Sequence, residues 1–141
     1  MLQSELAEGH FQGLKIVDAT AFVAEHVLPK LDIKRRKSAM ALHPTCSSTQ
    51  LGLNDTLKSV GASVADSVTV PDNWGCCAYA GDRGMLHPEL THAATKREAA
   101  QAAELGSATH ASSNRTCELG LTAATGKDYE HILEILERVS R

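Results

Sequence analysis

Four cysteines, Cys46, Cys76, Cys77 and Cys117, carry the most chemistry in this sequence. A thiolate binds soft metals, attacks disulfides, and supports iron–sulfur clusters or dithiol relays. A single free cysteine is commonly no more than a small buried hydrophobe. Four of them, all in polar or glycine-containing stretches and none inside an apolar strand, point instead to one shared site. A disulfide between the neighbours Cys76 and Cys77 would close a strained ring around a distorted peptide, so a shared metal or cluster is the simpler use of the pair. His43, His87 and His110 fall in loops or at strand ends near the cysteines, where a histidine is either a nitrogen ligand or an ordinary hydrogen-bonded loop residue. His43, three residues before Cys46, is the strongest of the three as a ligand. Arg83 is read first as a surface ion-pair partner and second as a support for a thiolate or an anion.

The elements that must position these groups follow from hydrophobic period and turn chemistry. Leu14–Val17 is a short apolar run followed by the N-cap candidate Asp18, and then by Phe22, Val23, His26 and Val27 at helical spacing. Ser38–Leu42 is a second apolar run that stops at His43-Pro44. From Ser47, the residues Leu51, Leu53, Leu57, Val60 and Val64 mark a helix, and Ser67–Val70 is a β-rich run ended by Pro71. Beyond it, Asp72–Ala78 has loop composition, Gly81–Gly84 forms a turn, and an alanine-rich helix runs from Pro88 to about Leu105. Ser107–Ser112 reads as a fourth strand before a short helix carrying Cys117. A last amphipathic helix starts at Asp128 with Ile132, Leu133, Ile135, Leu136 and Val139 inward.

Strands alternating with helices predict an α/β fold, a three-layer, Rossmann-like arrangement with a mostly parallel four-stranded sheet and helices on both faces. Cys46 then follows strand two, Cys76-Cys77 strand three and Cys117 strand four, each near the start of a helix. In open parallel sheets ligands bind outside the carboxyl ends of the strands, so three βα loops would deliver four thiols to one crevice.

Composition narrows the remaining classes. With 141 residues and 43% hydrophobic content the chain is read as a single domain, 1–141, able to bury roughly 70% of its unfolded surface. No apolar run approaches the roughly 20 residues of a membrane span, and the start MLQSELAEGHF lacks the basic and apolar regions of a signal peptide. The expectation is a cytoplasmic protein whose cysteines are thiols or metal ligands rather than disulfides. A net charge of -3, a single basic run at Lys34–Lys37 and 4% aromatics argue against a nucleic-acid partner.

His43-Pro-Thr-Cys46, Trp74-Gly-Cys-Cys-Ala78, Gly81-Asp-Arg-Gly84 and Asn114-Arg-Thr-Cys-Glu-Leu-Gly120 together resemble the cysteine-rich CCG domain. That domain recurs in heterodisulfide reductase B subunits, glycolate oxidase iron–sulfur subunits and lactate-utilisation proteins. The likeness is greatest to the C-terminal part of bacterial FAD-linked oxidases of the D-lactate dehydrogenase type. It spans roughly Leu42 to Gly126. Here 29 residues separate Cys46 from Cys76 and 39 separate Cys77 from Cys117, which keeps the family's order at slightly altered spacing. Ala78 replaces the glycine of the Cys-Cys-Gly triplet, and Gly120 stands where subunits with a full motif have a fifth cysteine.

The resemblance implies a domain of a larger FAD and iron–sulfur oxidoreductase. It would pass electrons from the flavin module of a 2-hydroxy acid dehydrogenase, with Cys46, Cys76, Cys77 and Cys117 as cofactor ligands and His43 as an additional metal ligand. An iron–sulfur cluster, a zinc ion and a dithiol relay all remain open, as does a zinc- or thiol-containing docking domain without redox turnover. The implied partners are the flavin and ferredoxin-like modules of the parent, and a peripheral association with a membrane electron acceptor at the inner face. No FAD-binding segment or ferredoxin run of cysteines occurs in the chain, so these residues alone are not expected to catalyse flavin chemistry.

Overall fold

The structure, a computed structural model, describes residues 15–141. The first helix, α1, covers Ala19–Phe22 and continues through wider π-type turns over Val23–Val27 and a tight turn over Leu28–Lys30. It starts where the Asp18 carboxylate accepts from the N–H groups of Thr20 and Ala21 at 2.8 and 3.2 Å. Then follow β1 (Lys37–Leu42), α2 (Cys46–Gln50), α3 (Asn54–Val64), β2 (Ala65–Thr69), α4 (Arg83–Leu86), α5 (Pro88–Glu104), β3 (Thr109–Ser112), α6 (Arg115–Thr125), β4 (Tyr129–His131) and α7 (Ile132–Ser140).

All four strands are parallel, in the order β2-β1-β3-β4. The chain leaves β1 to one side for β2 and returns past β1 for β3, so the strand order reverses between β1 and β3. This is the α/β, three-layer, Rossmann-like sheet expected from the alternation, with one exchange of strands. Lys15–Val17 are exposed and form no strand, and Leu14 lies outside the described residues. The fourth strand is Tyr129–His131, which the sequence reading placed in the last helix. Three residues, one of them buried, carry no alternation long enough to reveal a strand.

Side-chain alternation in the strands defines the two faces. Met40, Leu42 and Ala111 point into an apolar core with Leu57, Val60 and Val64 of α3 and Ile132, Ile135, Leu136 and Val139 of α7, and Val23, Ala24 and Leu28 of α1 pack at its edge. Ala41 and His43 point to the opposite face, where α5 and α6 pack against each other. That second face is built of small and polar side chains, among them Thr91, Thr95, Ser112 and Glu98.

The helix foreseen from Ser47 to Val64 is broken after Gln50. Gly52, at φ +68°, turns the chain, and Leu51 faces solvent. Within the basic run, Arg36 does more than keep the turn solvated. Its guanidinium donates to the carbonyls of Ala62, Ser63 and Ala65, closing the end of α3, and pairs with Asp66 at 2.8 Å.

Candidate thiol site at the strand-order reversal

Local capping brings two of the cysteines into place. Thr45 caps α2 in a reciprocal box with Ser48, so Cys46 becomes the first residue of that helix. The Asn114 side chain accepts from Thr116 N–H at 3.0 Å and starts α6, which makes Cys117 its third residue. The other two do not begin a helix, contrary to the sequence reading. Cys76 and Cys77 lie in the irregular stretch between β2 and α4, six residues or more before Arg83. Gln101 of α5 pins the start of that stretch, accepting from the backbone N–H of Asn73 at 3.0 Å and donating to Asp72 at 3.3 Å.

Behind the cysteine pair, Tyr79 packs so closely on two glycines that neither tolerates a side chain. A Cβ on Gly84 would stand 2.5 Å from the tyrosine ring, and one on Gly120 would stand 2.9 Å from Thr91 Cγ2 and 3.2 Å from the ring. Gly120 therefore lies at a close junction of α6 with Thr91 and Tyr79. Ala78 has φ +54°, and Ala80 has φ +44°. Both occupy the left-handed region that glycine enters without strain.

The cysteines follow the carboxyl ends of β1, β2 and β3 and fall into an outer and an inner pair, Cys46 beside Cys76 and Cys77 beside Cys117. Cys46 and Cys76 are exposed, while Cys77 and Cys117 are each only 5% exposed. The inner sulfurs stand 3.0 Å apart. The Cys117 thiol donating to Cys77, helped by the Tyr79 backbone and the nearby His43 ring, overcomes burial and draws the Cys77 pKa down to about 6. The same hydrogen bond, together with burial, pushes Cys117 far upward, so the pair is a thiolate beside a thiol. Burial first, and then the neighbouring Cys76, raises Cys46.

His43 sits at the strand-order reversal, and its N–H donates to the Ala111 carbonyl of β3 at 2.8 Å. Its Nδ1 lies 2.7 Å from Glu98 of α5, both side chains being almost fully buried, and Trp74 approaches its ring edge-on at 6.4 Å. Its Nε2 is buried and, among the described residues, finds no hydrogen-bond partner. A histidine whose second nitrogen is held by a carboxylate is the usual supporting arrangement of a metal-binding imidazole.

Sequence reasoning missed Glu98. The signal was the spacing Thr91, Thr95, Glu98, Ala102, one buried helical stripe with a carboxylate in it. The other two histidines do not join the site. His87 is exposed and meets Glu89 at 3.1 Å. His110 lies buried against Tyr129 near the amino end of the inner strand β3, where the loop Gly126–Asp128 borders it, at the opposite end of the strands from the cysteines. Arg83 is exposed and, among the described residues, pairs with no carboxylate.

The donor chemistry of this site, four thiols and a bare imidazole nitrogen, suits a soft metal or cluster. Its present spacing is that of a thiol pair. The 3.0 Å between inner sulfurs is shorter than the ~3.8 Å edge of a tetrahedral zinc–thiolate site. Among the described residues, no three His, Cys, Asp or Glu side chains stand ready to hold a metal ion between them. No helix among the described residues is long and apolar enough to cross a membrane. No family model, curated protein or solved structure matches this chain.

Proposed function

We propose that this chain is the cysteine-rich electron-transfer domain of an FAD-linked 2-hydroxy acid dehydrogenase of the D-lactate or glycolate type. Cys46, Cys76, Cys77 and Cys117 are its cofactor ligands. The observation that supports this reading is that the segments following β1, β2 and β3 bring their thiols together in pairs, Cys77 against Cys117 at 3.0 Å and Cys46 beside Cys76, on the carboxyl side of a parallel sheet. When bound, an iron–sulfur cluster supplies a one-electron acceptor. The chain itself contributes the sulfur donors, two of them on the exposed residues Cys46 and Cys76, and a buried imidazole held by Glu98. Its partners are the flavin and ferredoxin-like modules of the parent enzyme, in the cytoplasm or at the inner face of the membrane.

A second reading, a zinc- or thiol-containing docking domain without redox turnover, is favoured by the 3.0 Å approach of Cys77 and Cys117. Anaerobic reconstitution of the reduced chain with ferrous iron and sulfide, and separately with zinc, decides between them. The electron-transfer reading expects matched iron and acid-labile sulfide with a visible absorption that dithionite bleaches. Uptake of zinc alone, or of neither, overturns it in favour of the second.

A further inference from the structure

Cys77 and Cys117 belong to different segments, the β2–α4 stretch and α6, and their sulfurs are 3.0 Å apart. A disulfide bond of about 2.05 Å lies roughly 1 Å of movement away, the scale of a small side-chain rotation. Because the two residues are not chain neighbours, bond closure does not strain a peptide between them. Both residues are 5% exposed, whereas Cys46 and Cys76 face solvent. Such burial admits an oxidant of water's size and excludes a bulky disulfide such as oxidised glutathione, which meets the outer cysteines first.

We propose that Cys77 and Cys117 are a peroxide-closable disulfide, a modification site that withdraws two sulfurs from the donor set and so blocks cofactor loading. Closure rests on the geometry of the pair. The blocking of loading rests on the cluster reading above. One inner thiol gives up its proton, and its sulfur attacks an oxygen of hydrogen peroxide. The O–O bond breaks, the departing hydroxide takes up the proton as water, and the sulfur becomes a sulfenic acid. The neighbouring sulfur then attacks it, the S–S bond forms and the S–O bond breaks. The second hydroxide leaves with the second thiol proton as water. Two electrons pass from the sulfurs to peroxide, and two thiols with one peroxide yield one disulfide and two waters.

The test uses the full reduced chain, treated anaerobically with one equivalent of hydrogen peroxide, then alkylated and mapped by peptide mass spectrometry. The expected product is lighter by two hydrogens, carries a Cys77–Cys117 cross-link, is alkylated at Cys46 and Cys76, and reverts with dithiothreitol. A Cys46–Cys76 cross-link, or sulfinic acid at an inner cysteine without any cross-link, overturns the proposal. The variant Cys117→Ser should fold and form no inner cross-link. Iron and sulfide uptake is measured on the same samples. Uptake by the reduced chain, its loss after peroxide and its return with dithiothreitol support the block. Equal uptake by a verified cross-linked chain overturns the block alone. A chain that cross-links but takes up no iron in either state overturns the cluster reading and the block together, and leaves the disulfide standing.

Discussion

His43 Nδ1 and the Glu98 carboxylate meet at 2.7 Å with their side chains 1% and 2% exposed, joining the residue that follows β1 to α5. Taking two such groups out of water is costly, and each is tolerable only because of the other. Replacing either one by alanine should destabilise the domain by about 3–5 kcal/mol. The double variant His43→Ala, Glu98→Ala should lose clearly less than the sum. Denaturant unfolding of the four proteins measures this, and additive losses would show that the two residues do not support each other.

The inner thiols should titrate apart. In the reduced, metal-free chain, ultraviolet thiolate absorbance should reveal one group ionising near pH 6, and Cys117→Ala should move it back toward the ordinary value by removing the donor. The folded pKa of Cys77 lies below its ordinary 9.0, so its thiolate stabilises the fold fully above pH 9. That contribution fades as pH falls toward 6. Cys117 is raised, so its contribution is complete below pH 9 and is lost as pH rises further. Stability measured against pH should therefore climb from about 6 to about 9 and decline beyond, and Cys117→Ala should flatten the profile.

Tyr79 leaves no room at the two glycines it touches. Gly120→Ala should cost about 1–3 kcal/mol, and Thr91→Ser should recover part of that by removing the methyl group 2.9 Å from the new Cβ. Gly84→Ala should cost more, because three ring atoms of Tyr79 lie within 2.8 Å of its Cβ and a ring cannot bend aside. Thermal unfolding ranks the three variants.

Ala78→Gly should stabilise the chain by up to about 1 kcal/mol, since the left-handed conformation at φ +54° strains an alanine and not a glycine. Ala80→Gly should act in the same direction. Loss of stability in both would mean that the loop relaxes to another conformation when freed.

Three strands were legible because each apolar run ends at a residue that cannot continue it, Pro44 after β1 and Pro71 after β2, or at a capped helix start, Asn114 after β3. Helix α5 was legible from Pro88 in its first turn and the alanines behind it. Lys15–Val17 misled because two apolar residues in succession look the same whether a sheet accepts them or not. The positions of Cys46 and Cys117 at helix starts after β1 and β3 were legible from the chain alone, whereas Cys76 and Cys77 lie in an irregular stretch and not at a helix start. The division of the four into an inner and an outer pair was not legible, because it depends on how Tyr79, Gly120 and α5 close over Cys77 and Cys117. Glu98 was hidden for the same reason: its partner is 55 residues away, and a lone acid in a polar helix ordinarily faces water.

The strand order also sets when the site comes into being. Cys77 must wait 40 residues for Cys117, His43 waits 55 for Glu98, and the His43 carbonyl waits 69 for the Ser112 hydroxyl. As the chain emerges during synthesis, the first three thiols are made well before the strand and helix that bring in the fourth. No early folding step can pair Cys77 with Cys117. Until β3 and α6 dock, Cys77 lacks the partner that buries it, and the thiols made early are open to whatever oxidant reaches them first.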